Sequence, residues 1–215
     1  MAIGDKYLKF RCSQCGRCCR DPLLPLTDHD VRRFLETTGD RTEDLVRWAS
    51  SREIALDEPE WYVMLRQGRR VMVLRHQRGG CRYLGRDRRC TAYQHRPLGC
   101  RVFPFDPTFG SGGELRRLTL IRATDCPRAL DGRNDLATLR ELYQSYEDAT
   151  ERYLERVAEW NRQQRRRRRT GRAAQTGREF LAYLGLLPNG QGTLHRADSF
   201  AASRIAGERP ELRLG

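Results

Sequence analysis

Four of the chain's eight cysteines crowd residues 12–19, Cys-Ser-Gln-Cys-Gly-Arg-Cys-Cys, and the others follow at Cys81, Cys90, Cys100 and Cys126. Two Cys-x-x-Cys pairs share Cys15, and Cys19 directly follows Cys18. Thiolates are soft ligands that select zinc, iron–sulfur clusters or copper(I) over hard cations. In Cys-x-x-Cys two sulfurs reach one ion around a tight turn, and Gly16 permits the positive φ that such a knuckle uses. Cys12, Cys15 and Cys18 also match the first three ligands of a bacterial-type iron–sulfur run. Its local fourth cysteine and proline are missing here, replaced by Cys19, and a Cys-Pro pair occurs far away at Cys126-Pro127. Neighbouring side chains diverge on strands and helices, so Cys18 and Cys19 are expected to serve different ions or different corners of a multinuclear centre. Eight thiols suffice for two four-cysteine sites, or for one cluster with thiols to spare. Any such centre is anionic, and Arg17, Arg20 and Arg101 stand beside the cysteines to offset it.

Each residue also has a plainer reading. A lone cysteine is usually a small buried hydrophobe, and Cys126 fits either that or a ligand. Cys81, Cys90 and Cys100 lie in glycine- and arginine-rich loops, where a ligand role fits better than packing. Clustered thiols are metal or redox groups in a reducing compartment and disulfides in an oxidising one; the metal reading is preferred. His95, between Cys90 and Cys100, is a second-rank ligand or donor to a thiolate, while His29, His76 and His195 read as ordinary. No Ser/His/Asp set or paired-carboxylate motif stands out, and there is no Gly-x-Gly-x-x-Gly loop.

These side chains need elements to hold them. Thr27 or Asp28 caps a helix carrying Val31, Phe34 and Leu35 and stopping at Gly39. Thr42 is expected to open a second helix running to about Ser51. Residues 61–65 and 71–74, aromatic and β-branched around Gln67-Gly68, predict a β-hairpin. Residues 81–90 form a tight polar loop, Thr91 to Arg96 a helical turn, and 99–105 an extended segment. Residues 114–122 predict a strand, packing on the hairpin. From Asn134 an apolar stripe (Leu136, Leu139, Leu142, Tyr143, Tyr146, Tyr153, Val157, Trp160) predicts a long amphipathic helix to about Gln164 that packs on the cysteine-bearing body. Phe180 to Leu187 give a short helix ended by Pro188. The expected fold class is α+β: a small cysteine-rich, metal-stapled domain at 1–130, a helical extension with an Arg-rich segment at 131–187, and a disordered tail at 188–215.

The net charge is +13, and Lys6 and Lys9 are the only lysines. Much of the excess lies in 162–172, after the long helix, which reads either as a solvated helix end or as a nucleic-acid-binding segment. No apolar run is long enough to span a bilayer. Met1 to Phe10 has no apolar core or cleavage site of a secretory signal, so a cytoplasmic address is expected.

The cysteine pattern carries a resemblance. Cys-x-x-Cys-Gly-x-Cys-Cys, then Gly80-Cys81-x-Tyr-Leu, Cys90-Thr-Ala-Tyr, and Arg96-Pro-Leu-Gly-Cys100-Arg-Val-Phe-Pro104 resemble the YkgJ-type cysteine cluster proteins over roughly residues 10–127. The resemblance implies a zinc- or iron-chelating domain, with seven of the cysteines as ligands and Cys126 beside them. A relative, the flagellin lysine-N-methylase, is similar in the cysteine region and implies an iron–sulfur centre, but this chain is shorter and its activity is not carried over. The expected function is metal binding, by zinc or iron, including an iron–sulfur cluster. The alternatives are an iron–sulfur enzyme of protein modification or redox chemistry, and an RNA- or ribosome-associated metal-binding module.

Overall fold

A computed structural model describes residues 7–20, 23–54, 56–112, 114–121, 127, 129 and 131–187. The expected tail at 188–215, and Cys126, lie outside the described residues. The chain is α+β. Its strands are β1 (Tyr7–Leu8), β2 (Val46–Ala49), β3 (Val63–Leu65), β4 (Gly68–Leu74), β5 (His76–Gln77), β6 (Gly80–Cys81), β7 (Phe105–Phe109), β8 (Leu115–Leu120) and β9 (Asn134–Asp135). Its helices are α1 (Asp28–Thr38), α2 (Thr42–Leu45), α3 (Leu98–Val102), α4 (Leu136–Arg169) and α5 (Gly177–Tyr183).

The hairpin of β3 and β4 closes with Leu65 opposite Gly68, and β2 pairs on the other side of β4, giving the order β2-β4-β3. Here the structure corrects the expected helix to Ser51. Only Thr42–Leu45 is helical, and Val46–Ala49 forms ladder bonds with Val71–Leu74. Val46 and Trp48 suit a pleated surface, and the waiting edge of β4 overrides the helical spacing.

One face of this sheet packs on α4. Tyr153, Val157 and Trp160 are buried there with Phe180, Leu181 and Leu184 of the α5 region. Their steps of three and four are those of one helix face. The Trp160 ring meets Phe180 edge-on at 5.1 Å, and its Nε1 donates to Met64 O at 3.0 Å, so a large ring is buried with its polar atom satisfied. The long helix was expected to end near Gln164; it continues to Arg169.

The segment before the cysteines is pinned to the chain entering α4. β1 pairs with β9, Arg11 bridges to Ala129, and Asn134 Nδ2 donates to Phe10 O at 2.6 Å. β8 was expected on the hairpin; it pairs with β7 instead.

Thr27 caps α1 in a reciprocal box with Asp30, and Gly39 ends the helix. Asp30 is only 2% exposed, and its Oδ1 accepts the Leu98 N–H at 2.8 Å while Oδ2 holds Thr27. That contact starts α3, a five-residue helix where an extended segment was expected. Pro97 tolerates the position before a helix, and a carboxylate 68 residues away supplies the missing partner for its first N–H. Asp30→Ala leaves the Thr27 and Leu98 donors buried and unpaired. It should lower stability by about 2–3 kcal/mol in denaturant titrations, with Asp30→Asn intermediate.

Candidate metal centre

Each of the seven described cysteines borders one cavity of about 170 Å³: Cys12, Cys15, Cys18, Cys19, Cys81, Cys90 and Cys100. The N-terminal four come from a knuckle in which Gln14 (φ 51) and Gly16 (φ 70) are left-handed, followed by a 3-10 turn at Arg17–Cys19. Cys81 ends β6, Cys90 closes the loop by a bridge to Leu84, and Cys100 sits in α3. The two halves meet backbone to backbone. A Cβ at Gly16 would stand 2.5 Å from Arg88 O, and one at Gly80 would stand 2.6 Å from Cys19 O.

Three of the sulfurs accept a backbone N–H from two residues on: Gln14 to Cys12 at 3.4 Å, Tyr83 to Cys81, and Ala92 to Cys90. At Cys81 and Cys90 these bonds favour the thiolate form, against the larger effect of burial. They recur in loops that share no secondary structure.

Four thiols act on one another as a complete set. Cys18, Cys81, Cys90 and Cys100 each lie within electrostatic reach of the other three, so that a charge on one raises its neighbours. Burial pushes the Cys81 thiol from 9.0 up to about 11, and moves Cys90 and Cys100 the same way. Cys18 is exposed at the mouth, but its thiol donates to the Cys19 sulfur, and this bond, ahead of burial, raises it strongly. Cys18 and Cys19, expected to serve different ions or different corners of a multinuclear centre, both border this one cavity. Adjacent side chains of a 3-10 turn stand about 120° apart, yet the Cys18 thiol reaches the Cys19 sulfur.

Raised thiols hold their protons at neutral pH until a metal displaces them. For the metal-free protein the sign follows directly. Cys81 contributes stability that is fully present below pH 9.0 and is lost as the pH rises through about 11, where the unfolded chain has ionised and the folded one has not. Denaturant titrations of metal-free protein should show this loss, and Cys81→Ala should remove its share.

Among the described residues, the lining contains no carboxylate. Its charged side chains are Arg17, Arg88 and Arg96, with His76 beside them. Arg96 lowers Cys18, Cys90 and Cys100, and Arg82, outside the lining, lowers Cys81. The Arg96 guanidinium stacks on Tyr93 at 3.9 Å, and Nε donates to Tyr93 O at 3.1 Å. Sequence reasoning named Arg17, Arg20 and Arg101 for this task and missed Arg96, although it precedes Cys100 by one helical turn's spacing. Likewise His76 lines the cavity, while His95 is not among its lining residues.

The donor set fits a thiophilic metal and the cationic lining fits the negative charge of a tetrathiolate centre. A single zinc would require four sulfurs about 3.8 Å apart, from zinc–sulfur bonds of about 2.3 Å. Among the described residues, no three Cys, His, Asp or Glu groups are so placed that they form a metal site. The thiols converge on one space without closing on one point.

The comparisons agree with this donor chemistry. The family model CxxCxxCC, described as "Putative zinc- or iron-chelating domain", matches residues 11–127, more than half of the chain, so the chain belongs to this family, the YkgJ-type cysteine cluster proteins. No curated protein and no solved structure matches it.

Proposed function

We propose that this family member binds zinc or iron in the cysteine-lined cavity, with Cys18, Cys81, Cys90 and Cys100 as the principal ligands. Cys12, Cys15 and Cys19 form an outer set at the same cavity, able to complete a polynuclear centre such as an iron–sulfur cluster. The observation that carries the reading is the convergence of seven cysteines from separate segments on one cavity that, among the described residues, is lined by arginines and no carboxylate. The centre ties the N-terminal turn to the loops that follow the hairpin. Its work is first structural: sites of this kind contribute on the order of 10–16 kcal/mol to folding. Arg96 offsets the charge of the ligated sulfurs.

The test is elemental analysis of protein purified without oxygen, with a visible absorbance spectrum to separate colourless zinc from iron–sulfur colour. Zinc or iron near stoichiometry, with loss of tertiary structure on chelation, is expected. A protein that carries neither and is unmoved by chelators overturns the reading.

A further inference from the structure

We infer that the end of α4 and the β3–β4 turn form one rigid cationic platform that binds the phosphate backbone of nucleic acid without reading its sequence. This goes beyond metal binding and does not rest on it. Two arginine-rich stretches, 66–70 and 162–172, are far apart in sequence and are brought together by the fold. Gln164, fully buried, donates to Gln175 Oε1 at 2.9 Å and accepts the Gln175 N–H at 3.0 Å. Gln175 O in turn accepts the Arg66 N–H at 2.7 Å. Arg165 Nη1 lies 3.8 Å from Met64 Sδ, and Met64 stands opposite Arg69 in the ladder. Arg167 Nε donates to Ala173 O at 3.2 Å, folding the chain after the helix back on its last turn.

The local acids engage some of the arginines and leave others. Glu159 pairs with Arg162 and reaches Arg166, Glu43 pairs with Arg178, and Glu179 reaches Arg167. Among the described residues, Arg66, Arg70, Arg165, Arg168, Arg169 and Arg172 form no ion pair with a carboxylate. A helix C-terminus favours cations in its last turn, which accounts for some of the run. It does not account for Arg66 and Arg70, which are on no helix.

The chemistry of the partner follows from what surrounds these charges. Guanidinium groups fit phosphate oxygens bidentately. An anionic membrane also attracts arginine, but an interfacial helix needs an apolar face beside the charges. Here the apolar face of α4 is spent in the core, and the exposed large hydrophobic residue among the described ones is Ile121, after β8. Trp48 and Trp160 both pack on Phe180, so these rings of the described residues offer no aromatic shelf to bases. Phosphate contact alone remains.

The experiment measures binding of the full, metal-loaded chain to a labelled RNA duplex and a DNA duplex of the same sequence, across salt. With about five phosphates neutralised, affinity should fall on the order of several hundred-fold between about 50 and 200 mM salt. R165Q/R168Q/R169Q and, separately, R66Q/R70Q should each weaken binding and flatten the salt slope, by about two to three and one to two respectively. Melting and metal content should be unchanged in both, which separates this result from any failure of the metal centre. Salt-insensitive or absent binding overturns the proposal. So does R66Q/R70Q with wild-type affinity and slope, or tighter binding to phosphatidylserine vesicles or polyglutamate than to either duplex.

Discussion

Cys100→Ser is expected to strip the protein of most of its metal, whereas Cys12→Ser leaves most of it bound. The difference lies in what each sulfur faces. Cys100 is coupled to Cys18, Cys81 and Cys90, and it is seated in α3, whose first N–H is fixed by buried Asp30. Cys12 takes the Gln14 N–H and reaches the Tyr93 hydroxyl, outside the four-thiol set. If a centre worth on the order of 10–16 kcal/mol is shared among four thiolates, each removal weakens binding by about 3 kcal/mol or about two orders of magnitude. Metal per chain and resistance to a competing chelator would be measured on both variants after purification without oxygen. Equal retention in the two, or loss confined to Cys12→Ser, would assign the principal ligands to the knuckle instead. A far-UV melt of each metal-free variant guards against a trivial loss of fold.

The same contrast shows what could be read from the sequence and what could not. Thr27 with Asp30, and Gly39 eleven residues on from Asp28, are local chemistry, and α1 begins and ends there. The hairpin and the stripe of α4 are likewise written in the spacing of apolar residues. Val46–Ala49 was unreadable because so short a stretch, Val-Arg-Trp-Ala, suits helix or strand equally, and only the free edge of β4 decides. Leu98–Val102 was hidden because its helix starts on a carboxylate from α1. At the site, the residue types announced the metal, and the grouping of ligands did not follow. Cys18 and Cys19 reach one cavity from a 3-10 turn that no propensity marks, and Arg96 was passed over in favour of arginines adjacent to cysteines in sequence. Adjacency in sequence is a poor guide where three segments meet.

Their meeting is enforced by glycines, and this gives a second large effect. Gly80→Ala should release the metal, while Gly79→Ala should keep it. Both residues have positive φ, 94° at Gly79 and 141° at Gly80, so either substitution strains the backbone by about 1–3 kcal/mol. At Gly79 nothing lies within 4 Å of the added methyl, and strain is the whole effect. At Gly80 the methyl would stand 2.6 Å from Cys19 O, a backbone atom that cannot swing aside. The 3-10 turn carrying Cys18 and Cys19 must then move away from Cys81, and the four-thiol set opens along that seam. The α4–hairpin core lies outside the seam, so Gly80→Ala should retain the far-UV spectrum while losing metal by elemental analysis. Equal metal retention in the two variants would show that the N-terminal turn and the β5–β6 ribbon need not be in contact for the centre to form.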